Sequence, residues 1–178
     1  MALLGLVATI LIGFAYYQIQ LKKSYKVRFD ALVNSKPEIT KSSLEEQIED
    51  KPKIKTETRI NDEVVSKILV QLEKLESNNL FLKSDITTQS LAEEIGTNNK
   101  YISTIVNEYK NKKFTDYLND LRINYAIETL KTDTQKRKYT IVALSQEFGF
   151  NNAESFSNAF QKRSGLKPSY FIKELDKI

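Results

Sequence analysis

The sequence predicts an all-α protein: an N-terminal transmembrane helix, a flexible linker, and a helical domain with two helix-turn-helix units joined by a long central helix. Three observations carry this prediction. Residues 1–21 contain no charged residue, while charge is spread over everything that follows. Only 5 Gly and 3 Pro occur in 178 residues, which leaves little material for hairpins or a β-sandwich. A stretch near residue 90 is repeated, imperfectly, 53 to 54 residues later.

The first element runs from Met1 to Leu21. At 1.5 Å rise per residue it would span roughly 31 Å, close to the hydrocarbon thickness of a bilayer. Tyr16 and Tyr17 fall where an interfacial aromatic belt would lie, and Lys22, Lys23, Lys26 and Arg28 follow. Under the positive-inside rule these cations hold the C-terminal side in the cytoplasm. The expectation is a single-pass protein of the inner (cytoplasmic) membrane. A cleaved signal peptide fits less well, because the start is uncharged and the cations follow the apolar run. A chain that begins at its membrane helix reads as the rear part of something longer.

Residues 22–60 are expected to be a cytoplasmic juxtamembrane linker. They hold 10 Lys/Arg against 7 Asp/Glu, with Pro37, Pro52 and few large apolar residues. Such a segment cannot bury enough surface to offset its ordering entropy. Ser43-Leu44-Glu45-Glu46 fits a capping box, so one short helix is expected within it.

Residues 61–178 form the predicted domain. Asn61 and Asp62 offer an N-cap, and Val64, Val65, Ile68, Leu69, Leu72 and Leu75 follow at helical spacing. The stripe is too short for a persuasive coiled coil, so it is read as packing on the domain.

The repeat pairs Ser90-Leu91-Ala92-Glu93-Glu94-Ile95-Gly96 with Ala143-Leu144-Ser145-Gln146-Glu147-Phe148-Gly149. After the glycine the offset grows by one, matching Ile102 to Phe156 and Val106 to Phe160. Each copy has a short amphipathic helix, a Gly able to turn left-handed, an Asn cap and a second helix. That is helix-turn-helix grammar, expected over about residues 87–109 and 140–163. One copy would equally suit a plain helical hairpin. Two copies favour DNA, since a second recognition helix doubles the groove contact. Between them, Phe114, Tyr117, Leu118, Leu121, Tyr125 and Leu130 suit a long helix packed on both units.

Composition excludes much chemistry. With no Cys, His or Trp, disulfides, thiolate or imidazole metal sites, and Cys–His or Ser–His–Asp catalysis cannot occur. No cofactor is expected, and an enzyme is a distant reading. The formal net charge of +4 is only a mild pointer to anionic partners.

The segments SLAEEIGTNNKYIS, FTDYLNDLRINYAIETL and IVALSQEFGFNNAESFSNAFQKRSGLKPSYF resemble the DNA-binding domain of AraC/XylS-type transcription regulators over about residues 64–175. The resemblance implies seven helices and two recognition helices placed in successive major-groove segments of double-stranded DNA. The arrangement further resembles the membrane-anchored form of Bacteroidetes-type bacteria, lacking that form's tetratricopeptide-repeat sensor. By the same resemblance Lys100, Ser103 and Thr104 face bases. Helical spacing adds Asn107 in the first recognition helix, and Glu154, Ser155, Ser157 and Asn158 in the second. Asn158 could pair bidentately with adenine and Glu154 could accept from cytosine N4. Candidate phosphate contacts are Lys110, Lys112, Lys113, Arg122, Lys136, Arg137, Lys138, Lys162 and Arg163, with Arg122 equally suited to bridging the two units. Neither recognition helix carries Arg before Arg163, so readout by one protomer should be weak. A homodimer and RNA polymerase are the further partners considered. The competing reading is a membrane-anchored helical adaptor that binds protein and not DNA.

Overall fold

The structure, a computed structural model, describes residues 2–35 and 61–178, with side chains in the first segment at residue 10 and from residue 12 onward. The capping box expected at Ser43–Glu46 and the linker over 36–60 lie outside the described residues. All regular structure among the described residues is helical. The order is α1 (Ala2–Asn34), α2 (Asp62–Ser77), a 3-10 turn at Leu80–Leu82, α3 (Thr88–Ile95), α4 (Asn99–Lys110) and α5 (Phe114–Thr132). A second 3-10 turn at Lys136–Lys138 leads to α6 (Ile141–Glu147), α7 (Ala153–Ser164) and α8 (Pro168–Leu175). Helices α2 to α8 are seven in number, as the resemblance implies.

Two cores share one helix. The first gathers Ile68, Leu72 and Leu75 of α2, Phe81, Leu91 of α3, Ile102, Ile105 and Val106 of α4, and Phe114, Tyr117 and Leu118 from the first half of α5. The second gathers Ile123, Ala126, Ile127 and Leu130 from the second half of α5 with Leu144, Phe148, Phe156, Phe160 and Phe171. Because α5 is covered on several sides, its apolar residues run all round it instead of forming one stripe. Edge-on and tilted aromatic contacts link Tyr125, Phe148, Phe156, Phe160 and Phe171 in one chain, with centroids 5.5–6.2 Å apart.

Local signals explain the helix ends. Asn61 caps α2 through Glu63 N–H, and Thr87 caps α3 in a capping box closed by the Ser90 hydroxyl. Thr140 caps α6 through Ala143 N–H, and Pro168 opens α8 at its first turn.

Helix α1 corrects the reading of the N-terminal third. Among the described residues no helix is long and apolar enough to cross a membrane. This overturns the expected inner-membrane location and leaves the span at 1–21 and the membrane as partner without support. The physical reason lies in how the helix continues. It runs unbroken past Lys22, Lys23, Lys26 and Arg28, and its last third packs into the second core. Phe29 is only 5% exposed and meets the Phe171 ring edge-on at 5.6 Å, a burial worth about 2 kcal/mol. Tyr25 meets Tyr170 edge-on at 5.4 Å, and Leu32 and Val33 complete the stripe. Lys131 Nζ donates to the carbonyls of Leu32 and Ser35, satisfying acceptors at the end of α1. Arg28 donates to the Gly165 carbonyl. The linker expected from residue 22 therefore does not begin there.

Candidate nucleic-acid interface

Each helix-turn-helix unit is built from a glycine turn and an asparagine cap. Gly96 (φ +74°) ends α3, Asn98 follows, and its side chain accepts from Tyr101 N–H to start α4. Gly149 (φ +79°) ends the first helix of the second unit, and Asn152 accepts from Ser155 N–H to start α7. In the second turn Phe150 takes the place that Thr97, donating to the Ala92 carbonyl, has in the first. Its N–H donates to the Ser145 carbonyl, and its ring is 4% exposed against Phe156. Phe150 thus anchors the turn in the core, and the extra residue is the exposed Asn151 between it and the cap Asn152.

The caps and the buried stripes fix which faces are outward. On α4, burial of Ile102, Ile105 and Val106 leaves Lys100, Ser103 and Asn107 exposed and Thr104 half-buried. On α7, burial of Phe156 and Phe160 leaves Glu154, Ser155 and Asn158 exposed and Ser157 half-buried. The eight candidate base-reading residues therefore sit on two separate helix faces, four on each. At the α3–α4 turn a shallow depression is lined by Gln89, Glu93, Thr97, Asn98, Asn99 and Lys100. There Asn99 donates to Gln89, which donates to Glu93. Gln89 ties the start of α4 to α3; sequence reasoning did not find it.

The nine candidate phosphate contacts divide. Arg122 is corrected to a bridge. It is 6% exposed, and its Nε and Nη2 donate to the carbonyls of Phe81 and Lys83, each at 2.7 Å. Its guanidinium also lies 5.4 Å from the centre of the Phe150 ring. Burial pushes the guanidinium down to about 10, so it stays protonated at neutral pH. Arg137 is corrected too. It donates to the carbonyls of Leu130, Lys131 and Leu175, closing the C-terminal ends of α5 and α8.

Lys110 is half-buried on Glu76 at 2.8 Å, and Glu76 also accepts from the Tyr117 hydroxyl at 2.6 Å. Burial and that carboxylate push the Tyr117 hydroxyl up. Lys136 is held by Glu147, which pushes its ammonium up. Lys112, Lys162 and Arg163 meet acidic and amide groups of α5. Lys113 and Lys138 stand exposed without an ion pair among the described residues. The partners of Lys110, Lys162 and Arg163 lie 34 to 46 residues away, and those of Lys112 and Lys136 on the next helix, so spacing within one helix does not reveal them.

Residues 91–174 match the family model described as a helix-turn-helix domain. Among curated proteins, the chain is 29% identical over 133 residues to an uncharacterised HTH-type transcriptional regulator in the cgkA 5' region of Pseudoalteromonas carrageenovora, covering 74% of this chain and 73% of that one. It is 26% identical over 122 residues to the TCP pilus virulence regulatory protein of Vibrio cholerae, covering 66% of this chain but only 41% of that protein. Among solved structures, the C-terminal domain of AraT, a response regulator from Geobacillus stearothermophilus, superposes with a TM-score of 0.51 at 23% identity. That match covers 66% of this chain and 88% of the other. A protein of unknown function from Listeria innocua gives 0.52 at 23% identity, over 60% of this chain and 95% of the other. These two likenesses concern the fold.

Proposed function

We propose that this chain, whose residues 91–174 match a helix-turn-helix domain, is an AraC-type, sequence-specific transcription regulator and not an enzyme, reading two successive major-groove segments with α4 and α7. The supporting observation is the duplication of one device on one helix. Two capped helices, each seated by a buried apolar stripe, present Lys100, Ser103 and Asn107 on one side and Glu154, Ser155 and Asn158 on the other. Both are packed on α5. Lys100 suits guanine acceptors and Asn158 suits adenine, while the Ser hydroxyls discriminate weakly. Because neither face presents an Arg, two protomers on neighbouring sites supply the affinity that one lacks.

A gel shift of the full chain on promoter fragments tests this. One fragment should be retained well above the rest at moderate salt. Lys100→Ala and Asn158→Ala should each weaken that complex by about 1–3 kcal/mol, roughly 5- to 160-fold, without altering binding to unrelated duplex. Equal affinity for every fragment, or binding to a protein partner that ignores both substitutions, would refute the reading in favour of an adaptor.

A further inference from the structure

Asp116, Asp120 and Asn124 follow one another at intervals of four on α5 and so form one polar row. The row is met from both units. Lys112, just beyond α4, donates to Asp120 at 2.5 Å. Lys162, near the end of α7, donates to Asp116 at 2.6 Å. Arg163 donates to Asn124 Oδ1 at 3.0 Å and lies 3.9 Å from Asp120. Lys112 and Arg163 are each 46% exposed and Lys162 is 73% exposed, so all three cations stand where an external anion could reach them. The hydrogen bond from Lys162 holds the Asp116 carboxyl below its ordinary range, so both partners are charged at neutral pH.

We propose that Asp116 and Asp120 act as internal substitutes for DNA phosphate, occupying Lys112, Lys162 and Arg163 in the free protein and thereby setting the affinity and salt dependence of binding. The inference rests on the DNA-binding reading above. Exposed ion pairs of this kind are weak, so a phosphate can displace the carboxylate. The displaced carboxylate then gathers a cation from solution. Each exchange thus releases one fewer counterion than a contact from an unpaired Lys, and the corresponding share of the salt slope, about 0.9 per contact, is suppressed. A carboxylate left beside the DNA backbone also repels it. Together these effects hold down the electrostatic binding that is blind to sequence.

The test compares the full chain with its Asp116→Asn/Asp120→Asn variant by fluorescence anisotropy on a duplex of arbitrary sequence across a salt series. The variant should bind about five- to tenfold tighter at low salt. Its slope of log affinity against log salt should be steeper by about 0.9 for each cation transferred to phosphate. A second variant, Asp62→Asn/Glu73→Gln, makes the same change of net charge on α2 and should leave the slope unchanged. Melting temperatures are measured on the same samples. Unaltered slope, or weaker binding with a lower melting temperature, would overturn the inference and make the row a structural clasp. Equal steepening in the α2 variant would overturn it in favour of net charge. If the unmodified chain binds no duplex at all, the DNA reading itself fails and the inference with it.

Discussion

Gly149→Ala should destabilise the protein by about 2–5 kcal/mol, a large part of the 5–15 kcal/mol that holds a typical domain together. Two costs add. At φ +79° an Ala side chain is strained by about 1 kcal/mol. A Cβ there would also lie 2.5 Å from the Leu82 carbonyl oxygen, 2.8 Å from its carbon and 3.0 Å from Arg122 Nε. The carbonyl is backbone of the first unit, so relief requires the two units to move apart. Gly96 occupies the equivalent turn of the first unit with φ +74°, yet a Cβ there meets nothing within 4 Å. Gly96→Ala should therefore cost only about 1 kcal/mol. Thermal unfolding of the two variants separates strain from contact. Equal losses would mean that the close approach at Gly149 does not matter.

Arg122→Leu is the second large effect, with an expected loss of about 2–5 kcal/mol. It leaves the buried carbonyl of Phe81 without its donor, at about 1–3 kcal/mol, and the half-buried carbonyl of Lys83 at less, and it empties the space the guanidinium filled against Phe150. Arg122 stands between Leu118, the last α5 residue in the first core, and Ile123, the first in the second. Its loss should thus reduce the cooperativity with which the halves unfold. Arg122→Lys should recover little, because one ammonium cannot reproduce the fork that serves both carbonyls. A phosphate-contacting Arg behaves differently: its loss lowers the salt slope by about 0.9 and leaves the melting temperature alone. Denaturation and salt titration of the same variant distinguish the two roles. Combined with Gly149→Ala the losses should not add, since the two sites touch.

These residues also mark where sequence reasoning stops. Helices α4 and α7, their Asn caps and their outward faces were legible because capping and helical periodicity act within four residues. The bridge at Arg122 depends on carbonyls 39 and 41 residues away, and the cap at Arg137 depends on one 38 residues away. Nothing near either Arg distinguishes it from a solvated cation. The acidic row of α5 was overlooked for the same reason, since its cations arrive from two other elements.

The N-terminal reading failed differently, because a usable signal was present. Tyr25, Phe29, Leu32 and Val33 recur at spacings of four, three and one, an amphipathic stripe inside a stretch read as tether. Lys22, Lys23 and Lys26 interleave with that stripe and drew attention to charge instead of period. An uncharged run followed by cations suggests a span ending at the first Lys. The packing of Phe29 shows that the helix carries on to serve the folded domain.

That packing bears on how the half carrying the two helix-turn-helix units could be isolated. The apparent boundary before Asn61 is a poor place to cut. A chain beginning there would lose the cover over Phe171 and Tyr170 and strip Lys131 of its two carbonyl partners. The bared aromatic pit should make the fragment sticky, eluting from a sizing column as a spread of oligomers where the full chain gives one peak. A synthetic peptide of residues 22–35, added in excess, should sharpen the profile again. In this sense the end of α1 is a ligand that the domain carries for itself.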